Sequence, residues 1–235
     1  VILRRGRTRK RLDPVALREL VHHRDDAIAL QDIAVFRDRV AGIAGGAMKN
    51  EIFHEFRGCQ RFNRLLLARK GWDFDNDGLA GAPEVRVVVS ELVHITVKKA
   101  LRLLGFGMNK ILYAPVNHHG QVDPERLPPL DDMTILCLQA GEVNTGEFDP
   151  FDVLIPRARA AGAWVHVDAA FGLWARASSH AELTKGIEAA DSWTTDAHKW
   201  LNSPYDCAMA ICRDSEALAA AMNSDAVYLS GARDA

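Results

Sequence analysis

The sequence predicts an α/β fold in which a mostly parallel sheet is covered by helices. From Val85 onward, short apolar runs alternate with segments of helical periodicity. The run from Val85 to Val89 is β-branched, which favours a strand. Strands that alternate with helices typically form parallel sheets, because each helix carries the chain back to the edge where the next strand begins.

The first 62 residues are predicted to form a basic tail and a helical segment. Val1 to Arg11 contains six basic residues with no aromatic residues among them, which favours a solvated tail over a nucleic-acid-binding arm. Asp13-Pro14 suits a helix start, because aspartate caps the first turn and proline fits its first position. We expect the helix to be broken near Arg24-Asp25-Asp26 and to end at Gly45-Gly46.

Residues 63–235 are predicted to form the α/β domain. Strands are assigned to the apolar runs, and helices to segments whose apolar residues recur at helical spacing. The predicted strands are Val85–Val89, Lys110–Val116, Thr134–Gln139, Ala163–Val167, Ser192–Thr195 and Ala208–Cys212. The predicted helices are Leu92–Leu104, Phe151–Ala161 and Ser215–Met222.

The composition is that of an ordinary soluble globular protein. Apolar residues make up 48% of the chain, and the formal net charge is −2. There is no apolar run of about 18 residues and no apolar stretch after the basic N-terminus, so we expect no membrane span and no signal peptide. The four cysteines lack paired spacing, which is typical of reduced thiols and predicts a cytoplasmic protein. Cys137 lies within an apolar run and is predicted to be a core thiol.

Acidic and histidine-rich segments do not predict a metal site. Asp73–Gly78 with Glu84 fits the calcium-loop pattern, but Pro83 and a predicted strand occupy the place of the second helix of an EF-hand. We interpret this stretch as a polar loop that enters a strand. We expect the side chains of the adjacent pairs His22-His23 and His118-His119 to diverge, which disfavours a shared metal.

Two candidate catalytic or cofactor-binding residues follow predicted strands. Asp168 comes at the end of His166-Val167-Asp168, and Lys199 lies in Asp196-Ala197-His198-Lys199-Trp200. The carboxyl ends of the strands are where open α/β sheets build their sites. Pyridoxal phosphate requires a lysine that forms a Schiff base and an aspartate that pairs with its pyridinium nitrogen. From the residues alone, Lys199 could equally be a surface lysine, and Asp168 a cap of the next turn.

These phrases resemble those of the group II pyridoxal-phosphate-dependent decarboxylases, which include the glutamate, aromatic amino acid and tyrosine decarboxylases. The resemblance runs from about Leu65 to Leu229 and includes Ala190-Asp191-Ser192 and Pro204-Tyr205-Asp206-Cys207. It implies the three-layer large domain of fold type I and pyridoxal 5'-phosphate as the cofactor. It also implies an L-amino acid substrate, release of CO2 and an amine, and a homodimer.

The resemblance also implies roles for individual residues. Lys199 would form the Schiff base, and Asp168 would pair with the ring nitrogen. His94, in Ser90-Glu91-Leu92-Val93-His94, would stack on the cofactor ring opposite Ala170.

Three further residues are implied to contact the cofactor at its periphery. His198 and Asp196 resemble residues that flank the phosphate, although Asp196 would repel that group and could instead orient Lys199 or His198. Gly146-Glu147-Phe148-Asp149-Pro150 matches a family phrase, while the threonine pair expected before it is displaced. Asn144 is therefore the candidate for the contact near the ring hydroxyl.

Two departures from the family pattern leave alternatives open. Gly45–Asn50 is the nearest match to the glycine-rich turn that cradles phosphate, but it lies farther from His94 than the pattern requires. We also expect no counterpart of the smaller C-terminal domain after Leu229, and therefore a partial large domain. One alternative is a truncated, inactive remnant with a binding role or none. Another is a different fold-type I reaction, such as transamination.

Overall fold

The computed structural model describes residue 64, residues 66–205 and residues 207–214. All of these residues belong to one compact unit, Gly45–Ala235. The predicted basic tail, N-terminal helix, domain boundary at residue 62, Gly45–Asn50 turn and helix from Ser215 to Met222 lie outside the described residues.

The described part of the chain is organised around a six-stranded sheet. The strands are β1 Arg86–Ser90, β2 Leu112–Ala114, β3 Thr134–Gln139, β4 Trp164–Asp168, β5 Ser192–Asp196 and β6 Ala208–Cys212. They lie in the order β2-β1-β3-β4-β5-β6. All neighbouring pairs are parallel except β5 and β6, which are antiparallel. This arrangement confirms the predicted fold class.

Four α-helices and several short 3₁₀ segments lie entirely within the described residues. The α-helices are α1 Phe74–Asp77, α2 Ile95–Leu103, α3 Phe151–Ala160 and α4 Ala197–Trp200. The 3₁₀ segments are Met108–Lys110, Pro124–Arg126, Gly172–Ala177, Ala181–Thr184 and Ile187–Ala189. Within the described ranges, no helix is long and apolar enough to span a membrane.

Two predicted elements differ from the structure by more than one residue at an end. α2 begins at Ile95 rather than Leu92, because His94 is its N-cap and its side chain accepts a hydrogen bond from the Thr96 N–H. β2 is shorter than predicted, because a 3₁₀ turn ends at Lys110 and Pro115 follows the strand. Proline has no N–H group to continue a strand ladder.

The segment that fits the calcium-loop pattern, Asp73–Gly78 with Glu84, begins with a short helix rather than a plain loop. Asp73 is the N-cap of α1, and its carboxylate accepts hydrogen bonds from the N–H groups of Asp75 and Asn76. Lys110 donates to Glu84 over 2.8 Å. Both carboxylates are thus engaged in local structure.

Both faces of the sheet are buried, so the fold has three layers. Side chains alternate along each strand, which directs successive residues to opposite faces. One face packs against α3, and its cluster includes Val88, Leu136, Val165, Leu154 and Ile155. The other face packs against α2, and its cluster includes Val89, Cys137, Trp164, Val97 and Leu101. The prediction that Cys137 is a core thiol is confirmed, since it is buried in this second cluster.

Candidate active site

A cleft lies at the carboxyl ends of β1, β3, β4 and β5. β2 and β3 flank β1 on opposite sides, so the sheet has a switch point between β1 and β3, where open α/β sheets bind ligands. The cleft contains about 510 Å³ of empty space, including space open to solvent. Five residues predicted from the sequence line it, namely His94, Asp168, Ala170, Asp196 and Lys199.

Asp168 is the last residue of β4 and is buried. Burial raises the pKa of this carboxyl group, and the nearby Asp196 adds to the rise. The Ala170 N–H donates to Oδ1 over 3.1 Å, and the positive charge of Lys199 also opposes the rise. A carboxyl group in such a place is suited to a partner that brings its own positive charge or proton.

Lys199 lies on α4 at the rim of the cleft, with 23% of its side chain exposed. Its Nζ is 2.7 Å from Oδ2 of Asp196. The same Nζ lies 4.2 Å from the centroid of the Phe171 ring, a cation–π contact. A carboxylate and an aromatic face therefore hold the amine of Lys199 in place at the rim of the cleft.

Asp196 contacts Lys199 directly, whereas His198 does not line the cleft. The Nδ1 atom of His198 is 3.0 Å from the carbonyl oxygen of Cys207, and its ring packs against Tyr205 at 4.5 Å between centroids. Its Nε2 lies 3.7 Å from Oδ2 of Asp196. This geometry agrees with the alternative in which Asp196 orients Lys199 or His198.

His94 and Ala170 enter the cleft from different elements. The half-buried His94 ring is positioned by capping, because its Nδ1 lies 2.8 Å from the Thr96 hydroxyl and accepts the Thr96 N–H at the start of α2. Ala170 follows β4 and is also half-buried. Its position is coupled to that of Asp168 through the hydrogen bond of its N–H group.

Asn144 does not line the cleft. Its backbone N–H and side-chain amide donate to the buried carboxylate of Glu142 over 2.9 and 2.7 Å, and Thr145 donates to the same group. Burial alone would raise the pKa of Glu142, but the donors of Thr145 and Asn144 together hold it below its usual range. Asn144 therefore stabilises the loop after β3.

Other residues line the cleft without having been predicted, among them Gln139 and Phe171. Gln139 is the last residue of β3 and is 6% exposed. Its side-chain Oε1 is buried and has no hydrogen-bond partner within the described residues. The available signal was its place at the end of an apolar run, where Asp168 and Asp196 also stand on their own strands.

The three-layer fold and the cleft at the carboxyl edge of its sheet are those of the pyridoxal-phosphate-dependent enzymes of fold type I. Residues 68–234 match the family model described as the pyridoxal-dependent decarboxylase conserved domain. The chain therefore belongs to the pyridoxal-dependent decarboxylase family, whose cofactor is pyridoxal phosphate.

Relatives and solved structures agree with this assignment. The chain is 29% identical over 167 residues to the acidic amino acid decarboxylase GADL1 of Bos taurus, a match that covers 67% of this chain and 32% of the relative. It superposes on the crystal structure of mouse CSAD with a TM-score of 0.67 and 23% identity, covering 85% of this chain and 44% of that one.

A third comparison is with a structure that contains the cofactor. The structure of Oryza sativa TDC with PLP and tryptamine has a TM-score of 0.63 and 27% identity, covering 79% of this chain and 39% of that chain. The chain spans about a third of the length of the curated relatives it matches, as the 32% of the bovine protein illustrates.

Proposed function

We propose that this chain carries the cofactor-binding core of an enzyme that removes the carboxylate of an L-amino acid as CO2. The observation that supports the proposal best is the presence of Asp168 and Lys199 in one cleft. Asp168 is buried there, and Lys199 reaches the rim. Pyridoxal phosphate supplies an aldehyde that takes up the amino group of the substrate, and a protonated ring that accepts the electron pair left by the departing carboxylate.

The described side chains fit the ring end of this cofactor. A carboxylate buried next to few donors suits the protonated ring nitrogen, and the partly exposed amine of Lys199 suits the aldehyde. Gln139 offers a buried amide oxygen that is unpaired within the described part of the chain. These three residues present the polar groups, while Ala170 leaves room beside them.

We assign the remaining residues as follows. His94 and Ala170 would lie against the two faces of the cofactor ring, and their positions in the cleft support this role. Asp196 holds the amine of Lys199 while it is free, as their 2.7 Å contact supports. A contact from His198 to the phosphate remains a prediction.

The partners of the chain are part of the same proposal. We expect a cytoplasmic homodimer that uses a small amino acid substrate and binds neither nucleic acid nor membrane. Large exposed apolar side chains follow Lys199 along the chain, namely Trp200 at 59%, Leu201 at 47% and Tyr205 at 72% exposure. We call these three residues the Trp200 patch. Exposed apolar patches of this kind mark association surfaces.

The test is to titrate the purified chain with pyridoxal phosphate and record the visible absorbance, with Lys199→Ala in parallel. We expect a band of covalently attached cofactor in the parent and none in the variant. Lys70→Ala is the matched control, because Lys70 is paired with Asp132 at 2.7 Å and does not line the cleft. A screen of amino acids for release of CO2 then separates decarboxylation from transamination.

Two results would contradict the proposal. A folded chain that gives no band would be a remnant without a working cofactor site. A chain that gives the band and transfers amino groups to a keto acid without releasing CO2 would be a transaminase.

A further inference from the structure

Gln139 carries a polar atom that the protein itself does not satisfy within the described residues. The residue is 6% exposed, and its Oε1 has no hydrogen-bond partner there. Its backbone is well held, since the N–H donates to Oδ2 of Asp149 over 2.7 Å. Native proteins leave few buried polar atoms unpaired, because such atoms lose their hydrogen bonds to water without replacement.

The position of Gln139 in the sheet places its side chain next to that of Asp168. The two residues are register partners in the parallel pair of β3 and β4, so their side chains project from the same face. Neighbouring strands are about 4.8 Å apart. β5, which leads to Lys199, lies on the other side of β4. Asp168 therefore stands between Gln139 and the strand that leads to Lys199.

The chemistry of the amide decides which part of the cofactor it suits. In pyridoxal phosphate the ring nitrogen and the aldehyde carbon lie opposite each other, with the hydroxyl on one side and the phosphate arm on the other. A phosphate needs cations or several N–H donors, and a neutral amide beside a carboxylate offers neither. A hydroxyl suits an amide, which can donate to it or accept from it.

We propose that Gln139 recognises the ring hydroxyl of pyridoxal phosphate, the contact that the sequence had suggested for Asn144. The inference rests on the proposed function, because it requires the ring to lie in this cleft. It makes Gln139 a cofactor-contacting residue that sets the position of the ring relative to Asp168. Asn144 is unsuited to this role, since its amide donates to Glu142.

The experiment compares the binding of two ligands by two proteins, in the manner of a double-mutant cycle. The parent and Gln139→Leu are each titrated with pyridoxal phosphate and with its 3-deoxy analogue, which lacks the hydroxyl, and the dissociation constants are measured by fluorescence. We expect the variant to bind pyridoxal phosphate about tenfold more weakly, the effect of one buried hydrogen bond. We expect the analogue to bind both proteins equally. Equal losses for the two ligands, or no loss for either, would overturn the proposal.

A second measurement uses the ligand-free proteins. Leucine has a similar size and no polar atom, so Gln139→Leu should raise the thermal midpoint by roughly a few degrees. Gln121→Leu is the control and should lower it, because the Gln121 amide donates to Glu147 over 3.0 Å. A lower midpoint for Gln139→Leu would show a structural role instead and would overturn the proposal.

Different results would overturn the proposed function and the role of Gln139. If the parent shows no absorbance band that depends on Lys199, the proposed function fails and the role of Gln139 fails with it. If the band is present and the binding cycle shows no difference between the ligands, only the role of Gln139 fails.

Discussion

Asp168 and Lys199 occupy one cleft but are held in different ways. Asp168 is buried at the end of β4, and burial raises its pKa. Lys199 lies at the rim, where Asp196 and the ring of Phe171 hold its amine. A buried carboxylate is costly to ionise unless a positive charge reaches it. These surroundings suit the proposed ligand, which has a cationic ring nitrogen at one end and a carbonyl group at the other.

Asp168→Asn should separate cofactor attachment from catalysis. Asparagine has almost the same shape but carries no charge to keep the ring nitrogen protonated, so the ring becomes a weaker acceptor of electrons. We expect CO2 release to fall roughly 100-fold or more, as when a preorganised electrostatic contact is removed. Attachment through Lys199, measured by absorbance, should persist. Unchanged CO2 release in this variant would refute the role of Asp168.

The buried carboxyl group of Asp149 should make the free energy of unfolding depend on pH. Burial raises its pKa from 3.8 to about 6, even though the N–H groups of Val122 and Gln139 donate to it. Because the folded state binds this proton more tightly than the unfolded state, the stabilisation is complete below pH 3.8 and is lost as the pH rises through 6. The shift corresponds to about 3 kcal/mol in the free energy of unfolding.

Urea unfolding between pH 3.5 and pH 7, roughly the interval spanned by the two pKa values, measures this effect. The free energy of unfolding of the parent, relative to Asp149→Asn, should decrease across the interval. Asp132→Asn serves as a control, because Asp132 forms an exposed ion pair with Lys70. A constant difference between the parent and Asp149→Asn would show that the buried carboxyl group does not titrate here.

At the scale of elements, the loop after β4 packs tightly against the end of β3. A Cβ atom on Gly172 would overlap the carbonyl group of Ala140 and would lie 2.7 Å from Cε1 of Phe148. Gly172→Ala should therefore lower the free energy of unfolding by about 1–3 kcal/mol, the usual effect of overpacking. It should also weaken cofactor binding, because Ala170 and Phe171 line the cleft and immediately precede this position.

Gly107→Ala is a matched control for this substitution. Its Cβ would meet only the side chain of Lys110, at 3.8 Å, an ordinary contact. Denaturant unfolding of both variants and their affinity for pyridoxal phosphate give the comparison. Equal stability of the two variants would show that the loop can move aside without loss.

Strand positions were largely predictable from the sequence. β3 and β6 have the predicted bounds, and β1 and β4 are shifted by one residue, because strands buried on both faces appear as continuous apolar runs. α1 was missed because its four residues are too few to show a period. Its start depends on a local cap by Asp73 that a loop sequence can equally contain.

The site was predictable where a motif follows a strand, and less so in the loops. His94, Asp168 and Lys199 were predicted to act together and do line one cleft. Asn144 was predicted because it lies before the phrase Gly146–Pro150, where the family has a threonine pair, but the buried carboxylate of Glu142 accepts a hydrogen bond from its amide. Gln139 was missed because a polar residue at the end of an apolar run gives no sign of being buried without a partner.

At the scale of the whole molecule, the Trp200 patch predicts self-association. We expect the chain to sediment as a dimer at micromolar concentration, and Trp200→Glu to shift it towards the monomer by placing a charge in an apolar contact. Leu103→Glu is the control, since Leu103 lies on α2 and is 54% exposed, similar to Trp200. A parent chain that sediments as a monomer would contradict the proposed homodimer.

Ala140 connects the two loops that form the floor of the cleft. Its N–H donates to the carbonyl oxygen of Asp168 over 2.8 Å, and its own carbonyl oxygen accepts the N–H of Gly172 over 3.0 Å. Backbone hydrogen bonds therefore join the ends of β3 and β4, and we expect a ligand that binds there to find the floor of the cleft already ordered. We expect the loss of side-chain conformational entropy on binding to occur instead at the rim, at Lys199 and Phe171. Inhibitors that keep the floor contacts and differ only towards the rim should therefore differ mainly in their entropy of binding.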